Sequence, residues 1–378
     1  MIPELPGFPA SPRWRLDWNL LEEAHPWVRA LNDCPQDPVH HAEGNVGIHT
    51  RMVCEELVGL SSWRKLRDWD RCLVFMAALM HDIAKPVSTR VEADGRITAR
   101  GHSGRGENMA RVLLWEQGLP FSFREQVAAL IRWHQVPFFA IERESPARLL
   151  HEISQTARCD LLALVAEADA RGRVCHDKQR LLDNIALFTE LCDEQQCLTG
   201  PRQFPSEHSR FLYFRKPSRD PGYHAHDDTR CDVVVMSGLP GAGKDHWLRS
   251  HRPDLPVVSL DQIREELDEP PTGAQGRVIA TAVERAREHL RAGEDFAWSA
   301  TNLSRGVRSQ CVDLLSAYNA RVHVVYVEVP ERVLVQQNRE RPRAIPQPAL
   351  QKLYERWSVP DVTEAHRVDL VIRERDES

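Results

Sequence analysis

The chain has 378 residues, 42% of them hydrophobic, which is enough apolar material for two ordinary cores. Lys and Arg number 49 against 55 Asp and Glu, a formal net charge of −6, so no global basic field draws nucleic acid and any such partner must meet a local patch. The nine cysteines include no C-x-x-C spacing, no signal peptide opens the chain, and the longest apolar run, Cys72 to Met80, is too short to cross a bilayer. Reduced thiols in a cytoplasmic protein are therefore expected, rather than a disulfide framework, a zinc ribbon or a membrane span.

Residues 1–20, rich in Pro and Trp, read as an irregular arm. From Leu20 to about Leu198 apolar residues recur at helical spacing with no convincing strand. Helices are predicted over 46–60, 70–84, 103–117, 122–134, 147–155, 158–171 and 177–192, punctuated by Pro86, Pro120, Pro137 and Pro146. The first domain, 1–205, is expected to be all-α. Residues 206–230, rich in Pro, His and charge, read as a linker ordered in part by Phe211, Tyr213 and Phe214. From 231 to 378 short apolar runs at 232–237, 257–260, 296–300, 322–329 and 368–372 alternate with helices, predicting an α/β fold with a mainly parallel sheet.

The helical half carries a set of metal-type residues at or near helix ends: His49, the pair His81-Asp82, His102, His134 and Asp169. A His-Asp pair after a buried helix costs desolvation unless something compensates both groups. Nitrogen and oxygen ligands without a thiolate suit Mn, Fe, Co, Ni or Zn, as one ion or two. Any one of these histidines alone could cap a helix or sit satisfied in a core; the inference rests on the ordered set. Lys85 could stabilise a phosphate or be a solvated surface lysine. His40, His41 and Glu43 could touch substrate or form a structural loop.

The α/β half opens with VVVMSGLPGAGKDHW, a buried strand, a loop Gly238-x-x-x-x-Gly243-Lys244 and a helical pattern. That is the context of a phosphate loop, in which backbone N–H groups around Gly238, Gly241, Ala242 and Gly243 cradle an NTP and Lys244 neutralises its β and γ phosphates. Asp245 follows, where Ser or Thr usually holds Mg²⁺, and His246 is the next phosphate-site residue; a carboxylate is also a hard oxygen ligand. After the second strand, Asp261 could accept the proton of an attacking hydroxyl, and Arg264 could hold the acceptor's phosphate. Asp261 could equally cap the helix. After the third strand Asn302, Arg305 and Arg308 read as cap and surface residues. Arg339, Arg341 and Arg343 crowd a segment broken by Pro342 and Pro346, either a lid over the γ-phosphate or a solvated basic turn.

HTRMVCEEL, ALMHDIAKP, GHSGRGENMA, the IRWH histidine and EADARG resemble, over residues 40–175, the HD phosphohydrolase superfamily, and most of all the HD domain that trails bacterial tRNA nucleotidyltransferases. The resemblance implies metal ligands at His49, His81, Asp82 and Asp169, with His102 and His134 added in two-metal members, and a metal-activated water that attacks a phosphoester. GLPGAGKD, SLDQIRE, SATNLSR and NRERPRAIP resemble, over 230–372, the polynucleotide 5′-kinase family. That implies Asp261 as general base, Arg264 on the substrate phosphate and Arg341 or Arg339 as the lid arginine. The two together resemble the bacterial HD-Pnk family. The implied activity is healing of RNA or DNA ends with ATP and Mg²⁺: removal of a 2′,3′-cyclic, 2′- or 3′-phosphate, phosphorylation of a 5′-OH, and a functional link to an RNA ligase. A nucleotide phosphohydrolase fused to a nucleoside or sugar kinase is the alternative, and a nucleotide sensor with degenerate sites a third.

Overall fold

The computed structural model describes residues 6–270, 273, 275–340 and 344–374. The chain divides between Arg202 and Gln203 into two compact units.

The first unit opens with an arm whose Phe8 meets Phe75 edge-on at 5.0 Å and whose Trp14 meets Trp63 at 5.6 Å. Helices α1 (Trp18–Ala24), α2 (Pro26–Ala30), α3 (Val46–Gly59), α4 (Ser61–Arg64) and α5 (Asp68–Met80) follow. Asn45 starts α3 by accepting from Ile48 N at 2.9 Å. Every residue of α5 from Cys72 to Met80 is buried. A helix apolar on all sides must be wrapped, and α3, α8 (Phe121–Trp133) and α10 (Cys159–Gly172) pack around it. The helix was expected to run to 84. It stops at Met80, and the chain turns through Ile83 N to Met80 O (3.1 Å) and Lys85 N to Asp82 O (2.9 Å), with Pro86 barring continuation.

Between α5 and α8 lie α6 (Lys85–Ser88), strands β1 (Arg90–Val91) and β2 (Ile97–Thr98), and α7 (His102–Glu116). The two-residue antiparallel pair corrects the expectation of no strand; it is too short and solvated to leave an alternating pattern in the sequence. Helices α9 (Pro146–Ser154) and α11 (Lys178–Glu194) complete the unit. At Gly172 an added Cβ would lie 2.7 Å from Val53 Cγ2 and 2.8 Å from Val53 N. Only a glycine lets the end of α10 approach α3 this closely.

In the second unit, residues 206–230 are not a free tether. Ser206 caps α12 (Glu207–Arg215), whose Phe211 joins the unit's core, and Ala225 N donates to Ser209 Oγ at 3.0 Å. The sequence then gives β3 (Cys231–Ser237), α13 (Lys244–His251), β4 (Val257–Ser259), α14 (Leu260–Glu266), α15 (Gly276–Ala292), β5 (Phe296–Ser299), α16 (Arg305–Ser316), β6 (Ala320–Glu328), α17 (Glu331–Glu340), α18 (Gln347–Tyr354) and β7 (Arg367–Ile372). The five strands form one parallel sheet in the order β4-β5-β3-β6-β7. Central β3 is buried at all but one position, as a strand covered on both faces requires. Ser259 pairs with Ser299, Val235 with Trp298 and Ser237 with Tyr326. The carboxyl ends of four strands therefore come level at one edge, where α/β sheets bind ligands.

Candidate metal centre and phosphate site

The turn that ends α5 delivers His81 and Asp82 to one buried space. His49 comes from the first turn of α3, His102 from the start of α7, His134 from the end of α8 and Asp169 from the last turns of α10. All six side chains are buried. The Nδ1 atoms of His81, His102 and His134 face the carbonyl oxygens of Ala78, Ala99 and Ile131 at 2.7, 2.8 and 2.8 Å. A carbonyl only accepts, so each Nδ1 carries the proton and each Nε2 keeps its lone pair. His49 Nδ1 lies 2.8 Å from Glu43 Oε1, which leaves its Nε2 in the same state.

These nitrogens converge. His81 Nε2 is 3.3 Å from His49 Nε2 and 3.1 Å from Asp82 Oδ2. His49 Nε2 is 3.2 Å from Asp169 Oδ1, and His102 Nε2 is 3.3 Å from Asp82 Oδ1. His134 Nε2 is buried without a hydrogen-bond partner. Two imidazole lone pairs at 3.3 Å repel unless a cation lies between them, and a buried lone pair with no donor is an incomplete shell. The donors fall into two overlapping triads, His49-His81-Asp82 and Asp82-His102-His134, each with its ligand atoms within 4.8 Å. Asp82 belongs to both. The set fits divalent transition ions, and Asp82, common to both triads, would be shared if two were held.

Charge within this buried space keeps both carboxylates ionised, and Asp82 raises His81 against its burial, so a cation, proton or metal ion, is favoured at its Nε2. Burial works to raise the Asp82 carboxyl, but His81 and Lys85 outweigh it and hold it well below the usual carboxylate range. Asp169 is likewise held low against its burial, by Arg173 and by the neighbouring imidazoles of His49 and His81. Burial pushes His134 down to about 3, keeping it neutral.

Three further groups orient the ligands. Glu43 Oε1 serves both His49 and His41, each at 2.8 Å, while its Oε2 accepts from Val174 N at 2.8 Å. Arg173 grips Asp169 with two parallel bonds of 2.9 and 2.8 Å. Lys85 is buried, donates to Gln36 Oε1 at 2.5 Å and lies 2.7 Å from Asp82 Oδ2, so it is no surface lysine. Glu43 was read as a substrate or loop residue, and Arg173 and Gln36 were missed. Arg173 left one signal, its place one helical turn after Asp169. A cavity of about 310 Å³ opens beside the centre, lined among others by His40, Lys85, His102, Phe139, Arg173 and Arg180.

In the second unit the loop after β3 folds as its glycines dictate. Gly238 has φ 140, and a Cβ there would lie 2.3 Å from Val327 O, so only glycine fits between β3 and β6. Lys244 turns back over the loop, donating to Gly238 O at 2.9 Å and Leu239 O at 3.0 Å. Asp245 Oδ1 accepts from Ser299 Oγ, at the end of β5, at 3.1 Å. His246 follows in the first turn of α13. Ser259, not Asp261, caps α14; Asp261 is exposed and ion-paired with Arg264, whose Nε donates to Gln275 Oε1 at 3.0 Å.

Asn338 N and Leu334 come within 4 Å of where a Cβ on Gly241 would stand, so α17 lies over the phosphate loop and Arg339 sits in its last turn. Arg341 and Arg343 lie outside the described residues. Arg308 is wholly buried and paired with Glu364 at 2.7 Å, and Asn302 Nδ2 donates to Met236 O at 2.8 Å. Arg308 is thus a core residue rather than a surface one, and both brace the fold. A larger cleft of about 620 Å³ includes His208, His224 and Arg321. Arg321 stands at the start of β6, the sheet edge away from the phosphate loop, so this cleft is no part of that site.

Residues 45–171 match the family model described as the HD domain, and residues 233–360 match that described as the AAA domain. The chain therefore carries an N-terminal HD domain followed by a C-terminal P-loop kinase-like domain. Among curated proteins, it is 28% identical over 162 residues to the Multifunctional CCA protein of Thioalkalivibrio sulfidiphilus, covering 42% of this chain and 37% of that one. It is 29% identical over 199 residues to that of Laribacter hongkongensis, covering 50% and 46%. The chain thus spans less than half the length of these relatives. Solved structures that resemble it include a sugar kinase from Janibacter sp. (18% identity, TM-score 0.30, 38% of this chain and 85% of that one) and a gluconokinase from Sinorhizobium meliloti (18%, TM-score 0.28, 37% and 82%). Overlaps this low distinguish no substrate.

Proposed function

We propose that the protein heals broken nucleic-acid ends, as the HD-Pnk family it resembles does. The HD domain removes a 2′,3′-cyclic, 2′- or 3′-phosphate, and the P-loop domain moves the γ-phosphate of ATP to a 5′-OH. The observation that carries the reading is the convergence of four imidazole Nε2 atoms and two carboxylates in one domain, on the same chain as a loop built for phosphate. Scission of RNA through its 2′-OH leaves a cyclic phosphate on one side and a 5′-OH on the other, so the two chemistries complement each other and leave ends for an RNA ligase.

His49, His81, Asp82 and Asp169 would hold one divalent ion; His102 and His134, with Asp82, would hold a second. Such ions supply Lewis acidity and lower the pKa of water for phosphoester hydrolysis. Glu43 and Arg173 fix the tautomer and rotamer of the ligands. Lys85 anchors Asp82, and its ammonium borders the cavity, where it can meet a phosphate oxygen. In the kinase domain backbone N–H groups bind the triphosphate, and Lys244 exchanges its loop carbonyls for phosphate oxygens. Asp261 takes the proton of the attacking 5′-OH, Arg264 holds the acceptor, and Arg339 or Arg341 meets the transferring group. P-loop NTPases commonly hold Mg²⁺ with a loop hydroxyl and an acid elsewhere. Here Asp245 would supply the acid from the loop and Ser299 the hydroxyl from β5, the two meeting at 3.1 Å.

The test is an RNA with a 2′,3′-cyclic phosphate and a 5′-OH, incubated with ATP across a series of divalent metals, with free nucleosides in parallel. Metal-dependent loss of the cyclic phosphate and labelling of the 5′ end are expected. Label transfer to nucleosides alone would overturn the polynucleotide reading in favour of a small-molecule kinase.

A further inference from the structure

Three cysteines that the metal centre does not use meet elsewhere in the first unit. Cys159 is the first residue of α10, Cys192 lies in the last turn of α11, and Cys197 follows that helix. Their Sγ atoms all lie within 4.8 Å of one another, and all three side chains are fully buried. The chain is folded back to make this meeting. Gln196 takes φ 55, a conformation uncommon for a side chain of its kind, and Cys197 N donates to Cys192 O at 2.8 Å. Asp160 N donates to Leu198 O at 3.0 Å, which pins the returning strand of chain against the start of α10.

We propose that Cys159, Cys192 and Cys197 form a second, structural metal site, a thiolate cage for a soft divalent ion of the zinc class. Tetrahedral thiolates about 2.3 Å from zinc stand roughly 3.8 Å from one another, a spacing the cluster already accommodates. The neighbouring thiols and burial raise Cys159 and Cys192, so a bound cation would itself have to ionise them. Cys159 sits at the positive end of a helix. His151, buried on α9, is close enough to Cys197 for their charges to interact. Its Nε2 lies 3.1 Å from Gln195 Oε1. His151 is not among the donors that meet within 4.8 Å, so the three thiolates carry the site. The site would tie α11 to α10, the helix that carries Asp169. It was invisible in the sequence because its members lack the short C-x-x-C spacing of a zinc ribbon and are joined by the fold.

The full chain, reduced and stripped of metal, is titrated with Co²⁺, whose thiolate complexes absorb by sulfur-to-cobalt charge transfer that nitrogen and oxygen ligands do not give. A band that saturates at one ion per chain and is displaced by Zn²⁺ is expected. It should persist in His81→Ala and Cys175→Ser and vanish in Cys192→Ser and Cys197→Ser. Absence of the band in the unaltered chain, or its survival in both serine variants, overturns the proposal. A second measurement needs no variant: capping the thiols of the zinc-loaded chain with a mercurial should release zinc to a chromophoric chelator in step with loss of the cluster. Capping without release from this site, or a disulfide among the three in the reduced protein, also overturns it.

Discussion

At the phosphate loop a carboxylate stands where a hydroxyl is usual, and a hydroxyl answers it from the neighbouring strand. Asp245 and Ser299 are 54 residues apart and meet at 3.1 Å. If the pair together completes the Mg²⁺ shell, Asp245→Ser and Ser299→Asp should each cut kcat/KM of the kinase about tenfold or more. The double variant, which restores the usual positions, should recover most of it, with a coupling of about 0.5–3 kcal/mol in a double-mutant cycle. Mn²⁺ affinity measured by spin resonance with bound ATP should follow the same order. Simple additivity of the two losses would remove Ser299 from the account. The same scale marks what a sequence can disclose. The six candidate ligands were legible because their types and order are specific, and the structure brings them together. Glu43, Arg173 and Gln36 act on other side chains, not on a ligand, and that role depends on a geometry only the fold creates.

Among the elements, the long helices were legible from apolar spacing, and the five strands from short buried runs flanked by helices. What misled was mixed composition. Residues 206–230 look like a tether because Pro, His and charge surround Phe211 and Tyr213, yet those two are buried. Helix α12 docks through a histidine pair. His366 accepts from Val322 N at 3.0 Å, stacks on Phe211 with centroids 3.9 Å apart, and meets His208 Nδ1 at 3.0 Å. Burial pushes His366 down to about 3. An unfolded imidazole titrates near 6.5, so below that pH the unfolded chain takes up a proton that the folded one refuses. Stability is therefore lost as pH falls from about 6.5 toward 3. Between pH 7 and 5 the loss should reach up to about 2 kcal/mol from this group alone. Urea unfolding of the second unit should show a shallower pH dependence for His366→Gln than for the unaltered chain, and equal slopes would contradict the assignment.

For the whole molecule, each unit has its own apolar core and its own site, and no helix among the described residues is long and apolar enough to cross a membrane. Domain order and class were legible because helical periodicity gives way near Cys231 to short apolar runs separated by helices, next to a motif whose context is unambiguous. The placement of the boundary was not, since it depends on which unit buries the intervening aromatics. Two separate sites imply separable activities. The most direct measurement follows both reactions on one RNA with His81→Ala and Asp261→Ala, each checked for folding by circular dichroism. The account predicts that His81→Ala abolishes 3′-end processing and leaves 5′ phosphorylation intact, while Asp261→Ala does the reverse. Loss of both activities from either folded variant would contradict it.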